Sequence, residues 1–217
     1  ADGDYDFEAL EALDLRLLQD QVRRLLAGEE VTTARYDFLS GRSRPEGGPR
    51  VSLQRGDVLM LEGIHGLDPR LVPEAVAARA FRIYASALTQ LNLDRHNRVS
   101  TTDTRLIRRI VRDSRERGYT AVQTISQWES VRRGEKKYIF PFQENADVMF
   151  NSALIYELAV FKPQAELLLR AIPQDTEEGP EAERLLALLS YFLAAPADPV
   201  PSNSILREFI GGSGFHY

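Results

Sequence analysis

Apolar positions recur with helical spacing between Ala12 and Leu26, where Leu13, Leu17, Leu18, Val22, Leu25 and Leu26 share one stripe. Asp14 near its start and Gly28 beyond its end bound this predicted helix. Val31 to Phe38 alternates loosely and predicts a strand. Ser40 to Pro49, rich in Gly, Arg and Pro, predicts a loop or hairpin tip, with Val51 to Leu53 returning. Asp57 to Gly63 is a continuous apolar run ending in an acid and a glycine, the pattern of a buried parallel strand whose carboxyl end reaches a site. Pro69 to Ala80 predicts a helix, Phe81 to Ser86 a second buried strand, and Thr89 to Asn97 a helix. Helices are expected over 121–132, Tyr156 to Arg170 and Glu181 to Leu193, with a third strand at Ala146 to Asn151. Pro173 to Pro180 reads as a polar connector, Ala195 to Pro201 as a Pro-rich break, and the Gly211 to Gly214 run as a flexible tail. Strands separated by helices predict an α/β fold with a parallel sheet.

The segment after Thr104 changes the picture. On a helix, Arg105, Arg108, Arg109 and Arg112 fall at i, i+3, i+4 and i+7, while Leu106, Ile107, Ile110 and Val111 point the other way. Thr101, Thr102 and Asp103 offer capping oxygens at its start, and Gly118 a hinge-like stop at its end. Aligned guanidinium groups on an anchored helix suit polyanions, phosphate above all, and a lid that closes over phosphates. The plainer alternative is a solvated face paired with Asp113 and Glu116. The chain contains no Gly-rich turn ending in Lys-Ser/Thr, the usual cradle of nucleotide phosphates.

Composition narrows the classes. The chain has 217 residues, 43% of them hydrophobic, and a net charge of −5, which argues against non-specific nucleic-acid binding. It has no cysteine, so thiolate metal sites are excluded, and its 3 histidines, His65, His96 and His216, are scattered, with no catalytic role assigned. No apolar run approaches the ~20 residues of a membrane span, and the first residues do not read as a signal peptide. The expectation is a cytoplasmic protein with no membrane and no nucleic-acid partner.

Other constellations are weaker alone. Glu62 before Gly63 at a strand end can orient magnesium-bound water or a substrate hydroxyl, although acid-Gly is also ordinary turn chemistry. Tyr36-Asp37-Phe38 with Ser40, Arg42, Ser43 and Arg44 can stack on and edge-bind a base, or be an exposed hairpin. Tyr5-Asp6-Phe7-Glu8 is an acidic-aromatic opening that also suits a terminus with a hydrophobic staple. Gln127, with Arg132 and Arg133 beyond it, can hydrogen-bond a ligand or sit on a surface helix.

Taken in order, these pieces resemble the uridine kinase and phosphoribulokinase branch of the P-loop kinases. The matching elements are Tyr5-Asp6-Phe7 with Leu13-Asp14, Tyr36-Asp37-Phe38 with Ser40 and Arg42-Ser43-Arg44, and Val58 to Ile64. Thr104 to Asp113 with Glu116-Arg117-Gly118, the most specific part, and Ala146-Asp147-Val148 complete them. Ile83 to Asp113 and Phe150 onward look like a bacterial subgroup of uridine-kinase-like nucleoside kinases with an extra helical C-terminus.

The resemblance implies a P-loop kinase-type parallel sheet flanked by helices, with a helical lid. It divides the chain into a core over 1–152, with a substrate hairpin at about 31–54 and a lid at about 103–133, and a helical extension over 153–217. It implies phosphoryl transfer from ATP or GTP, with Mg²⁺, to the 5′-hydroxyl of a nucleoside, uridine- or cytidine-like, or of a related sugar. Arg109 and Arg112 would act on phosphates and substrate, Glu62 would lie near the magnesium through water, and Asp6, Tyr36 and Gln127 would contact the nucleoside. Arg105, Arg108 and Arg117 would serve the lid. A homo-oligomer is compatible with the resemblance.

Two departures stand out. Gly41-Arg42 lies where the family usually carries a histidine. The family's first strand and phosphate loop belong ahead of Tyr5, so the expectation is a fragment, inactive by itself, or a chain completed by another polypeptide. The alternative is a non-catalytic nucleotide-binding or regulatory module.

Overall fold

The computed structural model describes residues 9–37 and 42–215. The chain condenses into two compact units, one of residues 1–84 with 133–148 and one of 85–132 with 149–217. The fold is mixed α/β.

In the first unit, α1 (Leu15–Leu26) starts where the Asp14 side chain accepts a hydrogen bond from the Leu17 N–H at 3.0 Å. Val22 and Leu25 are buried, as the stripe predicts, whereas Leu13 and Leu26 at its ends stay exposed. Gly28 follows with φ of 83°, the left-handed step that lets the chain leave the helix. The expected single strand divides in two. Strand β1 (Val31–Thr32) pairs antiparallel with β4 (Arg50–Val51), and β2 (Arg35–Asp37) with β3 (Arg42–Arg44), opposing Tyr36 to Ser43. The Gln21 amide donates to the Thr32 carbonyl at 3.1 Å and ties α1 to β1. The hairpin tip with Phe38 and Ser40 lies outside the described residues, as do Asp6 and its neighbours.

Three expectations are corrected. Asp57–Gly63 forms no strand, and Val58 and Met60 are 86% and 82% exposed. A parallel strand cannot satisfy its own N–H and C=O groups, and none of the described residues pairs with this segment. The helix expected over Pro69–Ala80 shrinks to α2 (Glu74–Ala77), opened by Pro73. Thr89–Asn97 is irregular, because the Asp94 carboxylate accepts from the His96 and Asn97 N–H groups, each at 2.7 Å, and closes a turn instead.

Strands β5 (Ile83–Ser86) and β6 (Val148–Asn151) pair. The Asp147 N–H donates to the Arg82 carbonyl at 2.9 Å and the Ser152 N–H to the Ser86 carbonyl at 2.8 Å, so both strands advance in one direction and the pair is parallel. The Phe81–Ser86 strand was expected to be buried. Instead Ile83 and Ala85 are exposed, Tyr84 and Ser86 are half-buried, and β6 is exposed throughout, as a two-stranded ribbon buries little by itself.

The second unit holds the larger core. Helix α3 (Thr101–Arg112) begins where the Ser100 hydroxyl, one residue ahead of the expected caps, accepts from the Thr102 N–H. Helices α4 (Ala121–Gly134), α5 (Glu157–Arg170), α6 (Gly179–Ser190) and the short α7 (Arg207–Ile210) follow. Leu106, Ile107 and Ile110 of α3 join Leu158, Phe161, Leu185, Leu189 and Leu206 in one cluster. Pro163 sits inside α5 and cannot donate to the Ala159 carbonyl; the Ala195 N–H does so at 2.9 Å, so the break after α6 completes α5. The glycine run is not loose: the Gly214 N–H donates to the Ser202 carbonyl at 2.8 Å, and Gly211 lies against the Arg115 guanidinium.

Candidate functional site

The arginine helix builds the site. Its apolar face is closed, with Leu106, Ile107, Ile110 and Val111 each at most 2% exposed. Beyond Arg112 the helix widens into a π-helical turn, Asp113–Arg117, which Gly118 ends at φ of 65°. The Asp113 carboxylate is 1% exposed and draws three guanidinium groups. Arg109 donates from Nε at 3.2 Å, Arg112 from Nη2 at 3.1 Å, and Arg117 reaches back to 3.4 Å. The widened turn brings Arg117 over the same acid, and such turns recur at functional sites. One carboxylate among three cations leaves net positive charge, with Arg109 and Arg112 still about a quarter exposed at 24% and 26%. Asp113 therefore orients these groups without neutralising them.

Arg108 departs from the expected shared face. It lies at the rim of the stripe, one turn from Thr104 and beside Val111, both buried. Its own exposure is 7%. Arg108 Nε donates to Glu157 Oε2 at 2.8 Å, Nη1 to Ser152 Oγ at 3.1 Å, and Nη2 to the Ser152 carbonyl at 2.7 Å. The guanidinium carbon stands 5.2 Å from the Phe209 ring centroid. Swinging this side chain outward would strand Glu157, itself 2% exposed, at a cost of ~3–5 kcal/mol. Burial pushes the Glu157 carboxyl above the usual carboxylate range, and Arg108 opposes that shift without cancelling it. As described, Arg108 is a structural arginine rather than an exposed lid arginine.

The remaining candidates are scattered along the chain. Arg105 is half-buried on α3. Gln127 is exposed on α4, Arg132 is half-buried, and Arg133 is exposed. Tyr36 is exposed on β2. Glu62 is exposed in the irregular segment, and no group of three or more His, Asp or Glu side chains suited to a metal occurs among the described residues.

A cavity of about 390 Å³ lies in the second unit beyond the carboxyl ends of β5 and β6, lined by Thr89, Leu91, Asn151, Leu154 and Glu157 among others. The Asn151 side chain brackets Leu88, accepting from its N–H and donating to its carbonyl, each at 2.9 Å. Arg105, Arg109 and Arg112 do not line this cavity. Sequence reasoning missed Glu157, Ser152 and Phe209. Glu157 reads as an ordinary acid opening a helix, and nothing local marks a partner 49 residues away. Asp113 was visible as a helical-spacing partner, but its role as a shared hub was not.

No described helix is long and apolar enough to cross a membrane. The model of the phosphoribulokinase / uridine kinase family matches residues 1–158. A uridine kinase of Borrelia duttonii (strain Ly) is 26% identical over 172 residues, covering 73% of this chain and 74% of that protein. A uridine kinase of Bacillus pumilus (strain SAFR-032) is 28% identical, covering 74% and 70%. Uridine-cytidine kinase B of Dictyostelium discoideum is 30% identical, covering 67% and 52%. The matched span includes the arginine helix, its widened turn and Glu157, and this chain belongs to the phosphoribulokinase / uridine kinase family.

Proposed function

We propose that this chain carries the acceptor-side hairpin and the arginine lid of a kinase that transfers a phosphoryl group from ATP or GTP to the 5′-hydroxyl of a nucleoside, uridine- or cytidine-like, or of a related sugar. The observation that carries the reading is the set of Arg109, Arg112 and Arg117 on the buried Asp113. A transferred phosphoryl group spreads charge over its oxygens, and positioned guanidinium groups stabilise that charge without reorganising. Arg109 and Arg112 bind and orient the phosphates, and Arg117 and Arg105 assist from the same helix and its turn. Tyr36, Gln127 and Asp6 recognise the nucleoside, with Tyr36 exposed on its strand and able to stack on a base. The names of the relatives, uridine and uridine-cytidine kinases, support the acceptor class. The enzyme works in the cytoplasm on small-molecule substrates, without nucleic-acid or membrane partners.

The test is transfer of labelled γ-phosphoryl from ATP or GTP to a panel of nucleosides and phosphorylated sugars by the natural gene product. Transfer to uridine or cytidine is expected, and Arg109→Ala and Arg112→Ala should each lower turnover at least about tenfold, or ~1.4 kcal/mol. Nucleotide binding without transfer to any acceptor would favour a non-catalytic module instead.

A further inference from the structure

We infer that Arg108 is a positioning residue, and that Glu157 of α5 and Phe209 of α7 clamp it so that α3 keeps one roll and presents Arg109 and Arg112 outward. The inference rests on the phosphate-binding reading of those two arginines. Arg108 is the point where three separate pieces of chain meet: the arginine helix, the Ser152–Glu157 corner after β6, and the last short helix. All three of its side-chain nitrogens are engaged there: Nε by Glu157, Nη1 by Ser152, and Nη2 by both. Such a fork fixes direction as well as distance, which a lysine cannot reproduce.

The rest of the clamp is itself held. Phe209 meets Phe161 of α5 edge-on, with centroids 5.7 Å apart at 79°. Arg207 anchors α7 through the Ala197 carbonyl at 3.1 Å and the Gly211 carbonyl at 3.2 Å. Two turns further along the arginine segment, Arg115 donates to the Phe209 carbonyl at 3.4 Å, and a Cβ on Gly211 would come within 2.5 Å of that guanidinium. The last residues of the chain thus grip the arginine segment at two levels, through Arg108 and through Arg115. On neighbouring positions of α3, one arginine faces the core and the next faces Asp113. A small roll of the helix would exchange their surroundings, and the clamp forbids it.

The test is binding of inorganic tripolyphosphate at low salt, measured by calorimetry, with amide exchange of Thr104–Arg112 followed in parallel. The proteins are the full chain and its Glu157→Gln, Arg108→Lys and Phe209→Leu variants, the last as the mildest to folding. Glu157→Gln is decisive. It deletes an acid beside the arginines, so simple Coulomb attraction would tighten binding, whereas loss of the clamp weakens it about tenfold. Arg108→Lys combined with Glu157→Gln should cost no more than either alone, because both break one device. Weaker binding and faster α3 exchange in Glu157→Gln support the clamp. Unchanged or tighter binding in that variant overturns it. If the unaltered chain binds no tripolyphosphate, the phosphate reading fails, and exchange alone decides the clamp: faster exchange in Glu157→Gln and Phe209→Leu supports it, and unchanged exchange overturns it.

Discussion

Val58, Met60 and Leu61 stand exposed in an irregular segment of the first unit, whereas Leu106, Ile107, Ile110 and Val111 of α3 are sealed in the second. Both stretches are strongly apolar, and both match the family pattern. The difference is where their backbone hydrogen bonds can go. A helix satisfies its own N–H and C=O groups and needs only a surface to cover one stripe, which α5 and α7 supply to α3. A parallel strand needs a neighbour on at least one edge before its side chains can be buried. Apolar content therefore creates the demand for burial, and the element type decides how many other pieces must be present to meet it.

The largest expected effect falls on the clamp. Arg108→Ala leaves Glu157 buried without its partner and should destabilise the second unit by ~3–5 kcal/mol in denaturant unfolding. Ile110→Ala, at 1% exposure, should cost ~2–5 kcal/mol through lost packing and the cavity left behind. A smaller effect is expected from titration. Glu157 binds its proton more tightly folded than unfolded, so its contribution to stability is full in acid and is lost as pH rises through its raised value. Unfolding free energy of the native chain relative to Glu157→Gln should therefore fall as pH rises above the ordinary carboxylate range. Val58→Ala marks the lower end. At 86% exposure it should change stability by no more than ~0.5 kcal/mol. A larger loss would mean that this segment is packed in solution, and the contrast with α3 would disappear.

Helices α1, α3, α5 and α6 were legible because their periodicity is local and their stops are explicit, as with Asp14 and Gly28 around α1. Strands β5 and β6 were legible as strands but not as exposed ones, since exposure depends on what covers them. Thr89–Asn97 was misread because apolar spacing says nothing of the Asp94 turn that competes with a helix. The candidate site shows the same division. The spacing of Arg109, Arg112 and Asp113 lay in the sequence, and they meet within the helix itself, with Arg117 joining from the widened turn. The separation of Arg108 from its neighbours did not, because it depends on Glu157 and Phe209, far along the chain. A helical wheel assigns faces, but a residue at the rim goes to whichever partner the tertiary fold brings near.

The central claim, that Arg109 and Arg112 on the Asp113 hub hold nucleotide phosphates, is tested most directly by calorimetric titration of ATP into the native chain and into the Arg109→Ala and Arg112→Ala variants. The account predicts binding by the native chain, weakened at least about tenfold by each substitution with unfolding midpoints little changed. Equal affinity in all three proteins would contradict it.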